Sequence, residues 1–161
     1  MRFGQKGRVC HRWFTRGRRP PGLCDQRYTW AHLFAAVRPA TGESFALVLP
    51  RVSTEAMQAF LDRFSAALAP DEHAAMAVDG AGWHVAHALR IPDNVTLVLL
   101  PPYSPELNPV ERVWAYLRSH YLSNRVFKDY DEIFSAAGDA WNRLDDTTLA
   151  SITATAWLRA S

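Results

Sequence analysis

Long apolar runs are absent from this 161-residue chain. No stretch is long enough to span a bilayer as a helix. The first residues, MRFGQKGRVCHRWF, are basic and lack an apolar h-region, so no secretory signal is expected there. Cysteine is scarce. Cys10 and Cys24 have no metal-ligand spacing, and a reduced cytosolic compartment is expected, with a single disulfide as the alternative. A Walker loop, a G-x-S-x-G elbow and a G-x-G-x-x-G fingerprint are all missing, which removes the commonest nucleotide and hydrolase readings. Repeats and low-complexity linkers are missing too, and the length suits one domain with a proper core.

What is present is unevenly distributed. The net charge of +2 hides a basic N-terminal segment. Residues 1–30 carry eight Lys or Arg against Asp25 alone, a balance of +7, whereas the remainder balances at −5. A concentrated basic arm favours a polyanion, with nucleic acid first in line. Trp13, Phe14, Tyr28 and Trp30 are interleaved with it, and aromatics beside arginines suit bases and phosphates. A solvated basic hairpin with its aromatics in the core fits the same composition.

The hydrophobic pattern predicts an α/β layered domain with a mixed sheet. Residues 1–14 read as a hairpin or irregular segment turning at Gly4 and Gly7, and residues 17–22 as a loop. Strands are expected at 28–37 and 44–49, joined into an antiparallel hairpin by the turn at 39–42. Ser53 caps a helix that Pro70 stops, although the capping box is imperfect because Ala56 stands where Glu or Gln is wanted. A short strand follows at 74–78, then a short helix at 82–90. Residues 95–100, VTLVLL, read as a strand buried on both faces of a central, largely parallel sheet. Helices are expected from Asn108-Pro109 onward, then at 129–143 and 145–158.

Two acids stand out. Asp79 ends the 74–78 strand, at the sheet edge where ligands gather in open α/β folds. The bland alternative is a turn aspartate in an Asp-Gly dipeptide. Glu111 follows the proline-rigid segment Leu99–Pro109 and falls on the first turn of the next helix. There it could serve merely as a capping glutamate. Its helical phase, about 40° from Leu107 and flanked by Trp114 and Arg118, places it on the rim of the buried face. A carboxylate there requires a cation, either Arg118 or a divalent metal. Hard divalent ions take oxygen ligands, and two ions can activate an attacking oxygen and stabilise a leaving one. His84 and His87 form an H-x-x-H pair, but no further zinc ligands stand at convincing spacing.

The segments VDGAGWH (78–84) and LLPPYSPELNPVERVWAYLRSHY (99–121) resemble DDE transposases of the mariner superfamily, especially its bacterial insertion-sequence branch. MRFGQKGR (1–8), LVLPRVSTEAMQAFL (47–61) and LSNRVFKDY (122–130) are similar to the same branch. The resemblance implies a ribonuclease-H-like mixed sheet flanked by helices, and a two-metal site of Asp, Asp and Glu. Asp79 matches the second aspartate and Glu111 the glutamate, both catalytic and metal-binding, with Mg²⁺ as cofactor and Mn²⁺ as substitute. Arg8, Arg12, Arg16, Arg18, Arg19, His84 and Asn108 are the expected DNA contacts. The first aspartate of the family precedes the Arg-Phe-Gly segment, which here follows Met1 directly.

The expectation is therefore a single catalytic domain over 1–161 with a truncated N-terminal strand, lacking the first aspartate and the helix-turn-helix region. It would act on element ends and target DNA, weakly or not at all alone, in the bacterial cytoplasm and associated with the nucleoid. A homodimer or association with a full-length transposase is expected. The competing readings are a non-catalytic DNA-binding or oligomerising partner that modulates a full-length transposase, and an unrelated zinc hydrolase using His84 and His87.

Overall fold

The computed structural model describes residues 1–4, 13, 15–18, 29–82, 88–123 and 125–155. Strands β1 (Arg2–Gly4), β2 (Trp30–Val37) and β3 (Ser44–Leu49) form an antiparallel sheet in the order β1-β2-β3. Helix α1 (Thr54–Ala67) leads to a parallel pair, β4 (Ala74–Val78) and β5 (Val95–Leu99). A single 3₁₀ turn (Pro105–Leu107) precedes α2 (Val110–His120), α3 (Tyr130–Asn142) and α4 (Asp146–Thr153).

The alternation along β2 explains the layers. Successive side chains of a strand point to opposite faces. Leu33, Ala35 and Val37 join Val113, Trp114, Leu117, Ile133 and Leu149 in one core beneath α2, α3 and α4. Phe34 and Ala36 face the other way, into a second core with Met57, Phe60 and Leu61 of α1. The Phe34, Phe45 and Phe64 rings stand 5.9, 5.7 and 6.2 Å from that of Phe60, within the tilted and offset range that aromatic pairs favour. A strand covered on both faces reads as continuously apolar, as β2 does.

Local signals place the ends. The Ser53 hydroxyl accepts from the Ala56 N–H at 3.1 Å and starts α1, although the box is incomplete. Asp129 and Asp145 start α3 and α4 in the same way. Gly42, at φ +84°, closes the β2–β3 turn, where only glycine adopts the left-handed backbone without cost.

Two expectations are corrected. Gly4 is not a turn point. It lies buried in β1, where a Cβ would stand 2.2 Å from the Thr29 carbonyl oxygen, so its role is close strand approach. β5 is not covered on both faces. Among the described residues it pairs with β4 alone, and Val98 and Leu99 are 48% and 56% exposed. Among the described residues the strands fall into an antiparallel set of three and a parallel pair, the mixed strand directions expected. The expected helix at 82–90 falls mostly on residues 83–87, outside the described residues, as do Gly7, most of the 17–22 loop, both cysteines and the end of the last helix.

Candidate functional site

β4 and β5 run parallel in a register that sets Val78 opposite Leu99, so the loops leaving both strands emerge at one edge. The Leu100 N–H donates to the Val78 carbonyl at 2.9 Å and carries the pairing one residue further. Asp79 follows at once and is exposed. Its Oδ1 accepts from the Ala81 N–H at 3.2 Å, so the turn-aspartate role is realised. The same carboxylate lines a cleft.

From Leu100 the chain passes Pro101, Pro102 and Tyr103, the last at φ +58° and fully exposed. The 3₁₀ turn follows, and Asn108 accepts at Oδ1 from the Val110 N–H at 3.2 Å, although α2 begins one residue later than expected, with Pro109 rather than Asn108 in the cap position. Glu111 sits on the first turn, where the helix dipole favours a carboxylate. α2 is held by Val113, Trp114 and Leu117, all buried. Their packing, rather than any ion pair, sets the direction of Glu111.

Asp79, Asn108 and Glu111 line a single cleft of about 760 Å³ between β2 and β4, floored by Met57, Phe60 and Phe64 of α1. The Met1 ammonium enters it and donates to the Leu33 carbonyl at 2.6 Å. Burial pulls this amine down from 8.0 to about 6, against the attraction of Glu111 and then Asp79, with Arg118 also pushing it down. Asp79, Glu111, Arg118 and the Met1 amine therefore share one electrostatic site. Arg118 donates its Nε to the Trp114 carbonyl at 3.2 Å, rather than pairing with Glu111. His32 also lines the cleft and is pulled below its ordinary value, first by burial and then by the Met1 ammonium and Arg2. Nothing in the sequence pattern marked Met1 or His32, since both owe their position to strand pairing.

The other expected contacts are not gathered there. Arg16 and Arg18 are exposed and flank the turn at Gly17, and neither lines the cleft. Arg8, Arg12, Arg19, His84 and His87 lie outside the described residues. Among the described residues no group of three or more His, Cys, Asp or Glu side chains could hold a metal ion. No described helix is long and apolar enough to cross a membrane.

An α/β domain with carboxylates at the carboxyl edge of a parallel strand pair is the class defined by fold and site together. Comparison makes it specific. Residues 1–134 match the family described as DDE superfamily endonuclease, and the chain belongs to that family. It is 51% identical over 117 residues, 73% of its own length and 87% of the relative's, to "Uncharacterized protein y4pE/y4sA" of Sinorhizobium fredii (strain NBRC 101917 / NGR234). Its fold is that of the mariner-type Mos1 transposase. The Mos1 strand transfer complex superimposes with a TM-score of 0.68 at 18% identity, over 94% of this chain and 47% of that one. The Mos1 paired-end complex with the left transposon end gives 0.70 at 17% identity, over 95% and 49%. The Mos1 mariner paired-end complex with Mn gives 0.69 at 17% identity, again over 95% and 49%. This chain spans about half the length of the solved transposases it matches. The matches bear out the ribonuclease-H-like fold and the DDE superfamily expected from the sequence motifs.

Proposed function

We propose that this chain is the catalytic domain of an insertion-sequence transposase, cutting and joining DNA strands with Asp79 and Glu111 as catalytic residues. The observation that carries the proposal is the convergence of these two carboxylates on one cleft at the sheet edge. A donor set of two carboxylates fits a hard divalent ion, Mg²⁺ with Mn²⁺ as substitute, which completes its shell with water and phosphate oxygens. Bound there, such an ion would supply Lewis-acid activation of the attacking and leaving oxygens.

The chain's own residues do the rest. Asp79 and Glu111 would hold the ion on two rigid elements. Arg118 adds positive charge beside them for a scissile phosphate. Asn108, on the same wall, meets the strand that carries it. The basic arm, including Arg8, Arg12, Arg16, Arg18 and Arg19, holds the duplex through its backbone, with His84 as a further contact. The 161 residues form a single catalytic domain in this reading. Of the four carboxylates that line the cleft, Glu43 and Glu72 are bound to Arg38 and only Asp79 and Glu111 are left for an ion, fewer than three, so cleavage by this chain alone is weak. The same shortage supports a second role, in which the chain dimerises or associates with a full-length transposase and modulates it.

Mn²⁺ binding to the purified chain, followed by electron paramagnetic resonance, tests the site without requiring turnover. Asp79→Asn and Glu111→Gln should each weaken binding at least tenfold, and nicking of terminal-repeat DNA should fall with it. A double variant that binds Mn²⁺ like the parent would remove the assignment. DNA affinity should fall steeply as salt rises from 50 to 200 mM, about a thousandfold for six phosphate contacts. A flat salt response would dismiss the basic arm.

A further inference from the structure

One residue of the loop between β5 and α2 is disfavoured by its backbone and by its surroundings alike. Tyr103 has φ +58°, and among the described residues no other non-glycine residue has a positive φ. The left-handed region is costly for a bulky side chain, and such an outlier points to function rather than to folding. The turn at Pro102-Tyr103 explains why the backbone goes there. Proline fixes the first central residue of a turn at negative φ. In one of the two common turns the next residue then takes positive φ, where glycine or asparagine is usual. Pro105 keeps Ser104 out of the helical region, at φ −118° and ψ 59°. The Ser104 hydroxyl donates to the Pro102 carbonyl at 3.3 Å and braces the turn. The conformation is thus built into the loop, and only the choice of tyrosine is left to explain.

Packing does not explain it. Tyr103 is 101% exposed, so its ring and hydroxyl lie in solvent. An aromatic held in water on a left-handed backbone adds nothing to the stability of the fold. Its place is informative. Val78 pairs with Leu99, which sets Asp79 beside Leu100 at a strand spacing of about 5 Å. Tyr103 follows three residues on, at most about 11 Å of chain. Its backbone therefore lies within about 16 Å of Asp79, outside the residues that line the cleft. That span is about five base steps of 3.4 Å.

We propose that Tyr103 is a DNA-positioning residue, whose ring stacks on an unpaired base of the strand that enters the Asp79–Glu111 cleft. This rests on the reading of that cleft as a DNA-cutting site. Chemistry selects the base over the phosphate. Residues 99–109 carry a single charge, that of Glu106, which repels phosphate. What the loop offers is a neutral π face, and every base has a matching one. A paired base inside a duplex keeps its faces against its neighbours. The partner is therefore a base at a frayed strand end or one turned out of the stack. Pro102 and Pro105 restrict the backbone beneath the ring before DNA arrives, so less freedom is lost on stacking.

The test uses the 161-residue chain and two terminal-repeat duplexes. One is blunt, and the other ends in a short unpaired overhang that carries the fluorescent base 2-aminopurine. The parent should quench that fluorescence, and Tyr103→Phe should quench it equally. Tyr103→Gly should leave it unquenched and weaken binding of the frayed duplex about tenfold, with the blunt duplex unaffected. The same variant should melt no lower than the parent, because glycine suits the turn. It should also bind Mn²⁺ as the parent does, so loss of stacking and loss of the metal site are read apart. A parent that leaves the fluorescence unchanged would overturn the proposal, even with its Mn²⁺ site intact. Equal weakening of both duplexes by Tyr103→Gly would overturn it as well, and so would a lower melting temperature for that variant. Self-association that Tyr103→Gly abolishes would assign the ring to a second copy of the chain, and would equally overturn it.

Discussion

The Met1 amine makes the buried cleft measurable through stability. In the folded chain it loses its proton near pH 6, and in the unfolded chain near 8.0. Between those values the unfolded chain holds more protons, so stability rises with pH. The contribution is fully present above pH 8 and is lost as pH falls through about 6. A drop from 8.0 to about 6 corresponds to roughly 3 kcal/mol, a large share of the 5–15 kcal/mol typical of a domain. Urea denaturation at pH 5.5, 7 and 8.5 measures it. His32 is also depressed by burial and pushes stability in the same direction at the acid end, so the slope alone does not isolate Met1. Acetylation of the N-terminus does. The acetylated amide still donates to the Leu33 carbonyl but cannot titrate, so the rise between pH 6 and 8 should largely vanish. Identical pH dependence with and without acetylation would refute the reasoning. So would stability that falls as pH rises from 6 to 8.

Two structural predictions accompany it. Leu117→Ala empties a fully buried position on the helix that carries Glu111, and should cost 2–5 kcal/mol in urea denaturation followed by circular dichroism. A cost below 1 kcal/mol would mean that α2 is not anchored by this face. Gly42→Ala meets two obstacles, a φ of +84° and a Cβ only 1.8 Å from the Asp146 carbonyl oxygen. The left-handed conformation alone costs about 1–2 kcal/mol, and the β2–β3 turn must also part from α4. The melting temperature should fall by more than about 4 °C, and an unchanged value would show that the two elements do not touch.

Much of this arrangement was legible before any coordinates. β3, α1 and β4 matched their patterns to within a few residues, because Ser53, Pro70 and the Gly42 turn are local signals that act through the backbone itself. Val113, Trp114 and Leu117 recur at helical spacing and are buried as that spacing implies. The misses share a different cause. VTLVLL looks like a central strand, yet an apolar run reports how much of a strand is covered and not how many strands flank it. β5 satisfies Val95 and Leu97 against the α1 side and leaves Val98 exposed. Gly4 carries a turn signal locally, but the approach of Thr29 and Trp30 requires a residue without Cβ there. His32 and the Met1 amine acquire their shifted protonation only from the pairing of β1 with β2, which no local window contains.

The convergence of Asp79 and Glu111 is itself a packing result, which explains why it can be built without a metal to pull the acids together. Parallel pairing of β4 with β5 obliges both following loops to leave at one edge. The prolines at 101, 102, 105 and 109 restrict φ along the second loop, and the Asn108 side chain then fixes where α2 begins. Once α2 begins there, burial of Val113, Trp114 and Leu117 against Leu33 sets its rotation. Glu111 is carried onto the cleft wall by that rotation. On the other wall, the bond from the Ala81 N–H restricts the Asp79 carboxylate at the end of its strand. The hydrogen bond that made Asp79 look merely structural is thus one that holds it in place. An acid held by its neighbours loses little conformational freedom when a cation arrives, and that pre-organisation is what a divalent site on two rigid elements requires.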